Sequence, residues 1–339
     1  MTVLDLPDPP PTLADVARVA GVSPATASRA LNGFPQVADR TRRQVEQAVR
    51  ALGYVRQRAT RTVAGHRITG SVAIAVGESG PWSFADPRFG RLMRGASATL
   101  VRAGVQVVVF VVQSGKSAQT SAARYLSAGH VDGVLFVSMH DRYSAALVGI
   151  EVPVVCAGRS LTGRPAGVDV DNRGGAAKAV RHLLASGRTR IATVAGPKDT
   201  VPGQDRLAGY LAEVSDAGLF DPALVTYGDF GQASGEHITR RLLDRRPDLD
   251  AVFAASDLMA AGVLRALRHA GRRVPEDVAV IGFGNSPLAP NTDPPLTTVT
   301  EPVEDLGAQA AHALLDRLNG TGGRLQAVLD TALVVRESA

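Results

Sequence analysis

The chain has 339 residues, with 37 Lys and Arg against 32 Asp and Glu, seven His and one Cys. At 45% hydrophobic and 20% charged it can bury a large core, which excludes wholesale disorder, and its length allows two or three domains. The lone Cys156 excludes a disulfide framework and a Cys-rich zinc site and fits a reducing compartment. No apolar run approaches the roughly 18–20 residues that span a bilayer. The acidic, Pro-rich start MTVLDLPDPPP has neither the basic opening nor the apolar stretch of a signal peptide. A soluble, cytoplasmic protein with no membrane partner is therefore expected.

Charge is unevenly placed. Residues 1–66 hold nine Arg and five acidic residues, whereas the remaining 273 carry 28 basic against 27 acidic. Ten Arg fall between Arg18 and Arg67, with only Asp39 and Glu46 opposing them. A basic N-terminal module on a near-neutral body implies a polyanionic partner for that module.

In chain order, residues 1–11 read as a disordered leader. Thr12 can cap a first helix through Ala20, with Asp15 at its N3 position and Gly21 ending it. Ser23-Pro24 is an N-cap followed by an N1 proline, opening a second helix to about Leu31, where Asn32-Gly33 stops it. A third runs from about Asp39 to Leu52, with Val45, Val49 and Leu52 on one face and Gly53 beyond its end. Small Ala17 lets the first two helices cross closely, Gly21 supplies the tight turn, and Val16, Val22 and Leu31 make a miniature core. This is the pattern of a helix-turn-helix, whose second helix enters the DNA major groove. Thr26, Ser28 and Arg29 then face outward, suited to phosphate and base-edge hydrogen bonds.

From Ile68 the pattern changes to alternating strand and helix. Unalternated apolar runs at Val72–Val76, Val105–Val112, Val134–Val137, Val152–Cys156, Ile191–Ala195, Ala251–Ala254 and Val278–Ile281 predict fully buried parallel strands. Amphipathic stretches such as Arg91–Ala103, Gly174–Ala185, Asp205–Ala217 and Leu258–Ala270 predict the intervening helices. The expected body is a doubly wound α/β structure of two lobes, with ligands in the crevice at the strands' carboxyl ends.

Catalytic motifs fail on inspection. Gly115-Lys116-Ser117 resembles the end of a P-loop, but the earlier glycine it needs is Phe110. Gly282-Phe-Gly284 fails as a dinucleotide fingerprint because its third glycine is Pro287. The seven His show no repeated ligand spacing, and Cys156 sits in an apolar run where inert thiols are usual. No enzyme activity, cofactor or metal is expected.

Six segments carry a resemblance: TLADVARVAGVSPATASRALNG at 12–33, TRRQVEQAVRALGY at 41–54, VDVDNRGGA at 168–176, DRLAGY at 205–210, ASDLMAAG at 255–262 and PLTTV at 295–299. Together they are similar to the lactose-repressor (LacI/GalR) family of bacterial transcription regulators. The resemblance implies an all-α helix-turn-helix head over 12–57 and a hinge helix over 58–66 that orders on an operator. It also implies a two-lobed, periplasmic-binding-protein-like body of doubly wound parallel sheets over 67–339. Chain crossings between the lobes are expected near 158–168, 299–303 and 320–328. The implied protein is a homodimer that reads a pseudo-palindromic double-stranded operator and responds to a small ligand, a sugar, held between the lobes. Relatives that form tetramers carry an added C-terminal leucine heptad; this sequence ends without one, so a dimer is expected. Whether the ligand loosens or tightens DNA binding, or a protein partner is required, stays open; the rivals are a transporter's solute-binding protein, which shares the body fold, and a sugar-processing enzyme, for which no catalytic motif is found.

Carried over residue by residue, Pro24, Ala25, Ser28 and Arg29 become base readers beside the capping Ser23, with Thr26 and Thr41 on phosphates. In the hinge, relatives have an Asn and a Leu wedged into the minor groove; here those positions are Gln57 and Val63, flanked by Arg56, Arg58 and Arg61. In the cleft, Arg206 matches the family's arginine, Phe230 the aromatic on which a sugar stacks, and Ser256 a position where relatives have Asn. Gly284-Asn285 stands where relatives carry an Asp-Asp pair, so a cleft carboxylate is missing, and Asp86 is the expected substitute acceptor. Ser138, His140 and Arg159 follow strand ends and complete the expected lining.

Overall fold

Thr12 opens the first helix with a reciprocal cap: its Oγ1 accepts the Asp15 N–H at 3.3 Å, and its own N–H donates to Asp15 Oδ2 at 2.9 Å. The computed structural model describes residues 11–31, 34, 36–54, 62–63, 66–67, 69–77, 86–113, 115–137, 150–159, 167–321 and 327–339. The chain divides into two units, one ending at Arg61 and the next beginning at Thr62.

The first unit is helical. Helix α1 (Leu13–Ala20) stops at Gly21, whose φ of 66° is the left-handed conformation a glycine adopts at little cost. Helices α2 (Pro24–Leu31) and α3 (Asp39–Leu52) pack on it around Val16, Ala17, Ala27, Ala30, Val45 and Ala48, all buried. Four of those six are alanines, which is what lets such short helices approach closely.

The hinge helix expected over 58–66 is not what the described residues of that segment show. Thr62–Val63 (β1) pairs antiparallel with His66–Arg67 (β2). Nine residues cannot repay helix nucleation unaided, and the β-branched Thr62 and Val63 suit extended backbone. The rest of the segment, with Gln57 and Arg58, lies outside the described residues.

The second unit holds two six-stranded sheets. The first runs β13-β7-β6-β5-β3-β4 and is parallel throughout: β3 (Ser71–Gly77), β4 (Gln106–Val112), β5 (Gly133–Val137), β6 (Val154–Ala157), β7 (Gly167–Val170) and β13 (Ala327–Leu329). Val72, Ile74 and Val76 point to one face, under helices α4 (Pro87–Arg102) and α10 (Val303–Leu318); Ala73 and Ala75 point to the other, under α5 (Lys116–Ser127). The second sheet runs β14-β12-β11-β10-β8-β9, from β8 (Ile191–Ala195), β9 (Val225–Tyr227), β10 (Ala251–Ala254), β11 (Ala279–Gly284) and β12 (Thr297–Thr300), with β14 (Leu333–Val334) alone antiparallel. Helices α6 (Asn172–Ala185) and α7 (Val201–Asp216) cover one face, α8 (Gln232–Arg245) and α9 (Asp257–His269) the other.

Among the described residues, three crossings join the lobes. Two fall later than expected, at Asp171 and at 330–332, because Gly167–Val170 and Ala327–Leu329 are themselves strands of the first sheet. The remaining crossing is Glu301-Pro302, between β12 and α10. Strand β4 also differs from its sequence pattern. Its apolar run predicted a fully buried strand, yet it lies at the sheet edge with Val108, Val109 and Val111 exposed. No helix among the described residues is long and apolar enough to cross a membrane.

Candidate functional site

In the head, α2 presents one face outward. Ser23 Oγ accepts the Thr26 N–H at 3.1 Å and lies 2.8 Å from Thr26 Oγ1, so the helix start is capped by its own side chain. Ala27 and Ala30 point into the core, which turns Pro24, Ala25 and Arg29 to solvent and leaves Thr26 and Ser28 half-exposed. Thr41, in the first turn of α3, is half-exposed as well. Six of these seven residues lie on α2 or α3, and Ser23 caps α2 from just outside it. Val63 is described only through its backbone, in β1.

In the body, the strand ends of the two sheets open on a cleft lined by Asp86, Arg88, Arg91, Arg206, Phe230 and Ser256 among others. Arg206, from the second turn of α7, is at its centre and only 4% exposed. Its Nε donates to Asn172 Oδ1 and its Nη1 to the Ala255 carbonyl, both at 2.8 Å. Its guanidinium carbon lies 3.7 Å from the Phe283 ring centroid and 6.0 Å from that of Phe230. The remaining Nη2 reaches Glu301 Oε2 at 3.4 Å.

Glu301 belongs to the crossing and is 3% exposed. Its Oε1 accepts Nε and Nη2 of Arg88, at 2.8 and 2.7 Å. Burial works to raise this carboxyl; the guanidiniums of Arg88 and Arg206 outweigh it and hold it below the ordinary glutamate range. One turn along α4, Arg91 donates Nε and Nη2 to Glu304 at 2.8 and 2.7 Å. Asp257, in the first turn of α9, accepts from Thr298 Oγ1 and from the Ser286 N–H, and burial raises its carboxyl.

Of the predicted effector residues, Asp86, Arg206, Phe230 and Ser256 line this cleft. Asp86 caps α4, accepting the Arg88 N–H at 2.9 Å. Ser256 caps α9 and donates its hydroxyl to the Phe230 carbonyl at 2.9 Å, bracing Phe230 in the left-handed region at φ 69°. Asn285 and Arg159 do not line it. Arg336 donates to Asn285 Oδ1 at 2.8 Å and draws it aside, while Asp205 and Asp169 pair with Arg159 at 2.5 and 3.4 Å. Ser138 and His140 lie outside the described residues. Sequence reasoning missed Arg88, Arg91, Asp257, Phe283, Ser286 and Glu301. The one local signal was Arg88 and Arg91 at i, i+3 after a strand end, which places two cations on one helix face.

Nucleophilic chemistry finds no support at Cys156, whose thiol burial pushes up to about 12. No group of three His, Cys, Asp or Glu among the described residues is placed to hold a metal.

Comparison with known proteins places both units. Residues 12–57 match the model of bacterial regulatory proteins, lacI family, and residues 180–339 that of a periplasmic binding protein-like domain. The chain is 45% identical to the HTH-type transcriptional regulator CelR of Thermobifida fusca, over 97% of this chain and 98% of CelR. It is 36% identical to the HTH-type transcriptional regulator MalR of Streptomyces coelicolor, over 96% of each. Among solved structures, a CelR–cellobiose complex superposes with a TM-score of 0.76 at 43% identity, covering 97% of this chain and 100% of that one. A lac repressor dimer bound to operator and the anti-inducer ONPF superposes at 0.80 with 28% identity, covering 97% and 99%.

Proposed function

Because the chain belongs to the lacI family of bacterial regulatory proteins, we propose that it is a transcriptional repressor whose operator affinity is set by a sugar bound in the interlobe cleft. The observation that carries this reading is the outward face of α2, where Pro24, Ala25 and Arg29 stand exposed on a head matched to that family. Arg29 is the one long hydrogen-bonding donor on that helix, so it reads a base edge, while Pro24 and Ala25 make apolar contact. Thr26 and Thr41 hold phosphates. On DNA, Gln57 and Arg58 lead into the hinge, which becomes helical there, and Val63 enters the minor groove as a short wedge.

The regulator acts as a homodimer. Val108, Val109 and Val111 on β4, with Val101 on α4 and Tyr125 on α5 to either side, form an exposed apolar edge of the first lobe, which a second copy would cover. Two heads then read a pseudo-palindrome of roughly 14–20 bp. In the cleft, Phe230 supplies apolar lining beside the polar Ser256 and Arg206, the mix of apolar surface and few polar groups that small-molecule recognition uses.

Selection of bound sequences from a random DNA library by the full chain tests the first half. It should return a pseudo-palindrome whose binding weakens steeply with salt. Recovery of no sequence preference would overturn the reading. Titrating the selected operator with cellobiose, the ligand in the CelR complex, and with other sugars tests the second half and gives the sign of the response.

A further inference from the structure

Every cation that the described residues bring to the cleft already has an anion. Arg88 is doubly bonded to Glu301, Arg91 doubly bonded to Glu304, and Arg206 reaches the second oxygen of Glu301. Arg206 gives two further N–H groups to neutral acceptors and its face to Phe283. The charged lining comprises three arginines against Asp86, Asp257 and Glu301. An unmatched guanidinium fork, the usual means of gripping a carboxylate or phosphate, is absent among these residues.

The helix ends tell the same story independently. Three helices start at the cleft: α4 and α9 spend first amides on the protein's own side chains, and α10, which has no side-chain cap, carries Glu304 and Asp305 in its first turn. Asp86 puts a carboxylate on the α4 N-terminus. Ser256 Oγ takes the Met259 N–H of α9, and Asp257 places a carboxylate in that helix's first turn. An anion arriving at any of these ends meets a resident acidic side chain where the helix dipole would otherwise have welcomed it.

We infer that this cleft selects uncharged ligands, and that Glu301 enforces the selection by occupying the two guanidiniums an anionic ligand would need. The inference rests on the reading of the cleft as the ligand site and goes further, to ligand class and the residue responsible. A sugar acid or sugar phosphate would have to displace a buried carboxylate from Arg88 and Arg206 and leave it without a partner, a costly exchange. Neutral hydroxyls impose no such exchange. Glu301→Gln keeps the shape, removes the charge, and leaves two buried guanidiniums short of an anion.

The test compares wild type and Glu301→Gln, both as full chains at constant ionic strength, by calorimetric titration and thermal shift. The probes are cellobiose, its aldonic acid cellobionate, and inorganic phosphate. Wild type should bind cellobionate at least about tenfold more weakly than cellobiose and gain no melting temperature from phosphate. Glu301→Gln should melt lower than wild type and be restored by phosphate or cellobionate, because a bound anion stabilises the state that holds it. Wild type binding cellobionate as tightly as cellobiose, or a variant no more responsive to either anion than wild type, would overturn the inference. The wild-type comparison alone decides the matter if the variant does not fold. Wild type that binds no sugar, beside a variant rescued by anions, would count against the sugar reading while upholding the charge selection.

Discussion

The Arg206 guanidinium carbon lies over the Phe283 ring, 3.7 Å from its centroid, so that one cation is held by a π face as well as by hydrogen bonds. A lysine cannot reproduce that arrangement, because its ammonium is a point donor without a plane. Arg206→Lys should lower stability by about 1–3 kcal/mol in urea unfolding. Operator binding should persist while the response to ligand is lost. A normal ligand response in an anisotropy titration would remove Arg206 from the site.

Arg29 stands exposed on α2, and its removal disturbs no core. Arg29→Ala should cost on the order of 1–3 kcal/mol of operator affinity and relax base preference at one position per half-site. A mobility-shift series that finds wild-type affinity and selectivity would shift the register of the reading helix. Ser23→Ala acts differently, removing the α2 cap at about 1 kcal/mol of head stability.

Helices α4 and α10 cross almost backbone to backbone. A Cβ on Gly95 would fall 1.9 Å from the Glu304 carbonyl oxygen, and one on Gly307 would fall 2.2 Å from that of Leu92. Gly95→Ala should therefore force the pair apart, costing about 1–3 kcal/mol. It should also weaken ligand binding, since α4 carries Arg88 and Arg91 into the cleft. Differential scanning calorimetry with and without ligand separates the two effects.

Two buried carboxyls respond oppositely to acid. Glu301 is held below its ordinary value of 4.5, so the stability it contributes is present above that value and lost as pH falls through its lowered one. Asp257 is raised by burial, so the folded state takes up its proton more readily, and acidification through the raised value favours folding. Wild type should lose melting temperature below about pH 4.5. Glu301→Gln should lose less over the same interval, despite a lower starting point. Parallel curves for the two proteins would show that Glu301 does not govern the acid limb.

Val109 is 48% exposed on the edge strand β4. Val109→Asp should leave the monomer's stability nearly unchanged and shift the population toward monomer. Sedimentation at several concentrations reads this directly, and an unchanged mass would place the dimer contact elsewhere.

What could be read along the chain was whatever a few neighbouring residues decide. Thr12 with Asp15, Ser23 with Pro24, and the glycines at 21 and 53 bound the head's helices through contacts within four residues. Asp86, Arg206, Phe230 and Ser256 were recognisable because each sits in a short motif after a strand or on a helix start. The Arg88–Glu301 and Arg91–Glu304 pairs span 213 residues and exist only because the chain returns at the Glu301 crossing. Asn285 and Arg159 looked equally suitable until Arg336 and Asp205 claimed them from afar. The apolar run of β4 reads the same whether the strand is central or at an edge; sheet order alone distinguishes the two.

The three crossings govern how such a protein can be recombined. The first lobe is assembled from stretches before Asp171, from α10 and from β13, so no single cut separates it from the second. A gene fusion that swapped one lobe between relatives would strand a helix or a strand from its sheet. The head, with its core drawn wholly from Val16 through Ala48, carries no such debt to distant sequence. New operators can thus be acquired by exchange of one short exon-like segment, whereas new ligands must be reached substitution by substitution.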